Sequence, residues 1–402
     1  MNRRLDQLNQ NFLTLLGGLN YGGRRRSLPA LMALALTACA VPGTGDRAAS
    51  GPSPQTKTDA IAASPTASTS STISDLLGQG DQTLVADNNA PIRFGKPIDC
   101  KLGEDCFVLL YPDRDPAKPN AIDYTCGQLT YDDHNGTDFA IPTWTPDTAV
   151  PVIASAPGTV TARRDGVPDR RILTPEDQAS VKDIECGNGV MVDHGNGWST
   201  QYCHLKRDSV RVQPGDRVET GTPLGEVGLS GMTTFPHVHI TVRRGSDAID
   251  PFTGPAQSTG CNLSARSGQS PYPSPLWSEP IPYRETGIVR SGFAPQAVTE
   301  DDSWLGRWTS DELAGDSPAL IFWIHSYGLR AGDVEQFTLI APDGRKLVDH
   351  TQPIDGDTKN RVVYVGQGTR FGPLQKGQWR ASFRLVRNGQ VIAQSDRVGT
   401  VR

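Results

Sequence analysis

The chain of 402 residues predicts a mainly β protein with two folded parts, too long for one compact core. Between Pro142 and Leu229, short β-forming runs are broken by Gly and Pro: Val150-Pro151-Val152-Ile153, Gly158-Thr159-Val160-Thr161, Gly189 to Val192 and Leu224-Gly225-Glu226-Val227. Such punctuation suits a barrel or folded sheet and not a helical domain. From about Gly287 a second set of strand-like runs begins: Ala319 to Ile324, Glu335 to Ile340, Arg361 to Val365, Gln378 to Leu385 and Val391-Ile392. Turns at Pro342-Asp343-Gly344 and Asn388-Gly389 separate some of them, and the set suggests an immunoglobulin-like β-sandwich.

The N-terminus reads as an export signal over residues 1–38. Arg24-Arg25-Arg26 is its positive region, Leu28 to Leu36 its apolar region and Leu36-Thr37-Ala38-Cys39 its cleavage site. The apolar run is too short to remain as a membrane-spanning helix. Leu-Thr-Ala-Cys resembles a bacterial lipobox, which implies a lipid on Cys39 and attachment to the membrane through it. Ala40 after that cysteine resembles sorting to the outer membrane, on its periplasmic face. The leader ahead of the arginines is unusually long, so the start codon is open, and Arg25-Arg26-Ser27-Leu28 loosely resembles a twin-arginine signal.

Residues 39–90 are Ser, Thr, Pro, Ala and Gly with hardly an aromatic, a composition that cannot bury enough apolar surface to offset its ordering entropy. This is a flexible tether. Fully stretched at about 3.3–3.6 Å per residue, it would reach well over 100 Å. The formal net charge of −5 and the lack of basic blocks argue against nucleic acid as a partner.

Beyond Cys39 six cysteines remain, an even number that in an exported chain points to disulfides. Asp193-His194-Gly195-Asn196-Gly197-Trp198 is a hairpin turn, and folding its strands together brings Cys186 opposite Cys203. The pairing of Cys100, Cys106, Cys126 and Cys261 stays open. Arg163 to Glu185 is a charged insertion, either a solvated loop or a rim over a groove. Within it Thr174 caps a short helix from Pro175 to Val181. A folded unit over 91–257 is followed by a Ser-, Pro- and Gly-rich connector over 258–286 and then the sandwich over 287–402. The sandwich shows no catalytic constellation. His325 and His350 are isolated, and the domain suits binding of a protein partner or spacing.

The chemistry concentrates in three segments. In Phe235-Pro236-His237-Val238-His239-Ile240, strand alternation turns His237 and His239 to one face and Val238 and Ile240 to the other. Tyr131-Asp132-Asp133-His134-Asn135-Gly136-Thr137-Asp138-Phe139 places an imidazole and a carboxylate four residues apart around a glycine. Gln201-Tyr202-Cys203-His204-Leu205 adds one more histidine. Four of the seven histidines lie in these segments, and with Asp138 they offer the nitrogen and oxygen donors that zinc takes, with groups left over for proton transfer. A thiolate ligand from Cys203 is the rival reading, but alternation turns it away from His204.

His-x-x-x-Asp, Tyr-x-His-Leu and His-x-His, in that order within a β-rich domain, resemble the lysostaphin-type (LytM-like) zinc metallopeptidases. The likeness covers roughly Cys126 to Phe252. It implies a peptidoglycan endopeptidase with Zn²⁺ on His134, Asp138 and His239, and with His204 and His237 as unligated active-site histidines. It implies peptidoglycan peptides as substrate. His-Glu-x-x-His is absent, so His204 and His237 take the base and oxyanion-donor roles, in an order left open. Cys203 and Phe235 depart from the family pattern without removing a ligand, and Phe235 bears on substrate preference. Two other readings compete: a catalytically silent relative that activates cell-wall amidases, and a peptidase acting on exported proteins.

Overall fold

The structure, a computed structural model, describes residues 92–255, 259–267, 272 and 275–402. The expected signal peptide, Cys39 and the tether lie outside the described residues. Among the described residues, no helix is long and apolar enough to cross a membrane.

The first part contains β1 (Phe107–Leu110), β2 (Thr137–Ala140), β3 (Pro151–Ile153), β4 (Gly158–Arg164), α1 (Pro175–Ser180), β5 (Asn188–Gly195), β6 (Trp198–Leu205), β7 (Arg217–Val218), β8 (Pro223–Glu226), β9 (His237–Arg244) and β10 (Asp247–Ile249). The main sheet runs β1-β2-β9-β6-β5-β4-β7, with β10 added to β9, while β3 and β8 form a separate pair. Alternation sets its central strand. Val238, Ile240 and Val242 of β9 enter the core at 0–1% exposure, each burial stabilising by about 1.5–3 kcal/mol. They meet Phe139, Val190 and Tyr202 from β2, β5 and β6 in one cluster. The β5–β6 hairpin turns on Asn196 (φ 51°) and Gly197 (φ 79°), the positive-φ pair that a tight hairpin needs.

Helix α1 starts where its cap predicts. Thr174 accepts from the Asp177 amide, the Asp177 side chain accepts from the Thr174 amide, and Pro175 takes the first turn. The helix itself buries nothing, so the insertion is in part a solvated loop. Its flanks are not: Ile172 and Val181 are buried, and the Ile172 amide donates to the Thr233 carbonyl.

The second part comprises β11 (Gly287–Ala294), α2 (Glu300–Trp304), β12 (Glu312–Leu313), β13 (Ala319–Leu329), β14 (Val334–Ile340), β15 (Lys346–Pro353), β16 (Thr358–Gly368), β17 (Gly377–Arg387) and β18 (Gln390–Val401). Sheet β11-β13-β16 and sheet β12-β18-β17-β14-β15 enclose a core of Phe293, Phe322, Phe337, Phe383 and Trp379, the two-sheet sandwich expected. Helix α2 has no counterpart in the sequence reading.

The two cores meet. Val289, Trp304 and Tyr327 of the second part pack into the first cluster, and Phe107 stacks on Tyr327 with ring centroids 5.2 Å apart. The described part of the connector is packed as well. Leu276 and Trp277 are buried, and the Leu276 amide donates to the Pro251 carbonyl. The disulfides are Cys100–Cys106, Cys126–Cys261 and Cys186–Cys203. The second ties the connector back to the first part, and the third is the bridge expected from the hairpin.

Candidate active site

Strand pairing assembles the site. Across β2 and β9, Asp138 is the Cα partner of His239, and across β6 and β9, Cys203 is the partner of the same residue. Asp138 and His239 therefore stand side by side, with His204 one step beyond. His134 precedes β2 in a turn and reaches the same point. Its Nε2 lies 3.2 Å from Asp138 Oδ1 and 3.3 Å from His239 Nδ1, while Asp138 Oδ1 and His239 Nδ1 are 2.8 Å apart. Gly136 makes this possible, because a Cβ there would strike the His239 ring.

The far side of each ring fixes where its proton sits. His134 Nδ1–H donates to the Tyr111 carbonyl at 2.7 Å. His239 Nε2–H donates to Thr241 Oγ1 at 3.0 Å, and that hydroxyl donates on to Asn135 Oδ1. With those protons committed outward, neutral rings turn the lone pairs of His134 Nε2 and His239 Nδ1 toward Asp138. Two lone pairs and a carboxylate converge in a buried place with no donor between them. That arrangement is repulsive without a cation. Their spacing also suits one, since tetrahedral zinc with donors at about 2.0–2.1 Å sets neighbouring donors roughly 3.3 Å apart. Among the described residues, His134, Asp138 and His239 form a group whose ligand atoms all lie within 4.8 Å of one another. These residues fit zinc.

His204 and His237 stand beside that group, their ring centroids 4.7 Å apart. His204 Nδ1–H donates to the Ser230 carbonyl at 2.8 Å, and His237 Nδ1–H donates to the Phe235 carbonyl at 2.9 Å. Each ring thus presents Nε2 to the site, that of His237 at 3.4 Å from Asp138 Oδ1. His204 has φ 64°, a left-handed conformation costing of order 1–3 kcal/mol for such a side chain. It is held there by its amide donating to the Cys186 carbonyl and its carbonyl accepting from Gly228, at 2.8 and 3.0 Å. The Cys186–Cys203 bridge lies against this strained position, so Cys203 is no ligand.

Burial opposes charge throughout. It holds His204 well below the ordinary imidazole range, and the neighbouring His237 and His239 add to this. It also lowers His239. Burial by itself would raise Asp138, yet positive charge at the point it shares with His134 and His237 holds its carboxyl well below the usual range. Tyr131, half exposed, stacks on His134 with centroids 4.4 Å apart. A cleft of about 260 Å³ opens past His134 and Asn135 toward Asp113 and Asp250.

The structure brings together His134, Asp138, His204, His237 and His239. His325 is buried and bonds Ser303 through Nδ1 at 2.8 Å, and His350 sits part-buried on β15, so both stand apart from the site. Sequence reasoning missed Tyr111, Ser230, Thr241 and Asn135. The first two act through backbone carbonyls, which carry no residue signature. Thr241 was findable, since it continues the alternation of His237 and His239.

Residues 132–251 match the model of peptidase family M23. The chain carries a peptidase family M23 domain. Over 106 residues this M23 region is 34% identical to the peptidoglycan DD-endopeptidase ShyA of Vibrio cholerae serotype O1, covering 26% of this chain and 19% of that protein. Over 120 residues it is 33% identical to the DD-carboxypeptidase/endopeptidase Mpg of Neisseria meningitidis serogroup B, covering 29% and 22%. The chain thus spans about a fifth of the length of these curated relatives. Among solved structures, the M23 domain is similar to the catalytic domain of lysostaphin from Staphylococcus simulans, at 23% identity and TM-score 0.23, covering 35% of this chain and 84% of that one. It is also similar to a zinc-containing peptidase from Vibrio cholerae, at 23% identity and TM-score 0.23, covering 36% and 39%.

Proposed function

We propose that the M23 domain is a zinc-dependent endopeptidase that hydrolyses peptide bonds in peptidoglycan stems or cross-links. One observation carries the reading: the outward protons of His134 and His239 leave two lone pairs and the Asp138 carboxylate converging on a single buried point. The endopeptidase names of the relatives support the substrate class.

His134 Nε2, Asp138 Oδ1 and His239 Nδ1 hold the ion. Bound there, zinc supplies Lewis acidity, polarising a scissile carbonyl and lowering the pKa of an incoming water. The remaining work falls to the two other imidazoles. His204, its Nδ1–H held by the Ser230 carbonyl and its charge disfavoured by burial, presents a free Nε2 lone pair to the site and is the candidate base. His237 Nε2, 3.4 Å from Asp138 Oδ1, is the group placed to bond the oxyanion. The Ser230 and Phe235 carbonyls keep both rings from flipping.

Export and lipidation of Cys39 belong to the same proposal. An anchor at the periplasmic face of the outer membrane, followed by the tether over 39–90, lets the domain reach a fixed polymer. The test is metal analysis together with digestion of purified sacculi, read by mass spectrometry of the muropeptides. One equivalent of zinc and new amino termini support the reading, and the His204→Ala variant should release them about 10²–10⁴-fold more slowly. Zinc without turnover, together with stimulation of a partner amidase, would assign the domain a regulatory role instead.

A further inference from the structure

Both unligated histidines take their orientation from one irregular segment, residues 229–236, which contributes no strand to either sheet. Its Ser230 carbonyl holds His204, and its Phe235 carbonyl holds His237, with Thr233 Oγ1 3.3 Å from the same His237 Nδ1. A segment without its own ladder takes its hydrogen bonds from neighbouring elements, and those bonds decide where its carbonyls point.

Strands β5 and β6 hold Ser230, the Asn188 amide donating to its Oγ and that hydroxyl to the Leu205 carbonyl, and further support comes from two directions. The insertion lies along one side: Arg170 donates its amide to the Leu229 carbonyl and Ile172 to Thr233, at 3.0 and 2.8 Å. Asp169 accepts the Leu229 amide at 2.7 Å. The C-terminal sandwich closes the other side. Phe235 stacks on His237 with centroids 4.3 Å apart, and its ring lies 5.7 Å from Trp304 at the end of α2. Trp304 is fully buried, and its carbonyl accepts the Trp144 amide at 2.8 Å.

Arg171 joins all three pieces. Its side chain is 6% exposed. Nε donates to the Thr234 carbonyl of the histidine-bearing segment, Nη1 to Asp301 and Nη2 to Glu300 at 2.8 Å. A buried guanidinium must be paired, and here its counter-charges come from the other domain. Helix α2 is itself fixed to the sandwich, since Ser303 bonds His325 at 2.8 Å and Trp304 meets the His325 ring edge-on at 4.6 Å.

We infer that Arg171 is a positioning residue and that the C-terminal sandwich, through Glu300, Asp301 and Trp304, holds in place the segment that aims His204 and His237. The sandwich is then a working part of the peptidase and not a separate module. The inference rests on the proposed endopeptidase reading but makes a claim of its own. The metal ligands are held by Tyr111, Thr241 and Asn135, none of which touches Arg171, so loosening the clasp moves the proton-handling rings and leaves the ion in place.

The test uses the full chain and two variants. Arg171→Met removes the fork, and the double variant Glu300→Gln/Asp301→Asn removes its charges from the opposite domain at positions 43% and 46% exposed, with circular dichroism to establish that each variant folds. With a cross-linked muropeptide dimer as substrate, both should lose kcat by about 10²-fold, with KM little changed and zinc still at one equivalent. Arg171→Lys should recover part of the rate. In ¹⁵N-histidine-labelled protein the Nδ1–H signals of His204 and His237 should shift or broaden in both variants, while the Nδ1–H signal of His134 and the Nε2–H signal of His239 stay put. Folded variants with wild-type kcat and unmoved histidine signals would overturn the inference and leave the endopeptidase reading intact. If the wild type bound no zinc and cut nothing, that reading would fail, and the histidine signals would still decide whether the clasp positions the rings.

Discussion

Asp138 and His239 are Cα partners across β2 and β9, and their Oδ1 and Nδ1 atoms lie 2.8 Å apart. Sheet register, not a loop, therefore sets the distance between two candidate metal donors, since directly opposite residues on neighbouring strands stand with Cβ atoms about 4.5–5.5 Å apart. His134 completes the set from a turn whose Gly136 leaves room for the His239 ring.

That packing makes metal affinity sensitive to residues that donate nothing to the ion. Thr241→Val removes the acceptor for His239 Nε2–H and should weaken zinc binding about 10–100-fold in chelator competition. Gly136→Ala should weaken it at least as much, because the new methyl overlaps the imidazole. Wild-type affinity in both variants would mean that His239 does not need its present orientation.

Replacing the unligated histidines should separate binding from chemistry. His204→Ala and His237→Ala are each expected to retain zinc while cleavage of muropeptide dimers falls by about 10²–10⁴-fold. Loss of metal in either would move that residue into the ligand set.

Stability should depend on pH through His325. Burial, opposed by its bond to Asn360, lowers this imidazole from 6.5 to about 3. Between those values the unfolded chain binds a proton that the folded chain does not, so stability is full above pH 6.5 and falls as the pH drops toward 3. At 1.36 kcal/mol per unit the loss is of order a few kcal/mol. Denaturant midpoints measured from pH 7.5 to 4 should fall more steeply for wild type than for His325→Gln, and parallel curves would remove His325 as the cause.

The disulfides should differ in what their loss affects. Cys126–Cys261 closes a separation of 135 residues and Cys186–Cys203 one of 17, which correspond to about 5 and 3 kcal/mol of unfolded-state constraint. Replacing the first pair by serine should lower the melting temperature more. Replacing the second should cost more activity, since it frees the backbone on either side of His204. Thermal melts and dimer cleavage on the same samples compare the two.

Local features of this protein are written in local sequence. The alternation of Val238, Ile240 and Val242 decides which face of β9 is core, Asn196-Gly197 makes the hairpin, and Thr174-Pro175 with Asp177 starts α1, because each depends on residues within a few positions of one another. The candidate donors were legible too, as histidines gathered into three β segments around Asp138. Tertiary structure alone decided the rest. The ring tautomers follow from the Tyr111 and Ser230 carbonyls, and every residue has a carbonyl, so no side chain announces which one will be used. The pairing of four cysteines, the burial of Leu276 and Trp277 in the connector, and the meeting of Arg171 with Glu300 depend on chain closure over long separations. Such contacts are chosen by how whole sheets pack, and no short stretch of sequence encodes them.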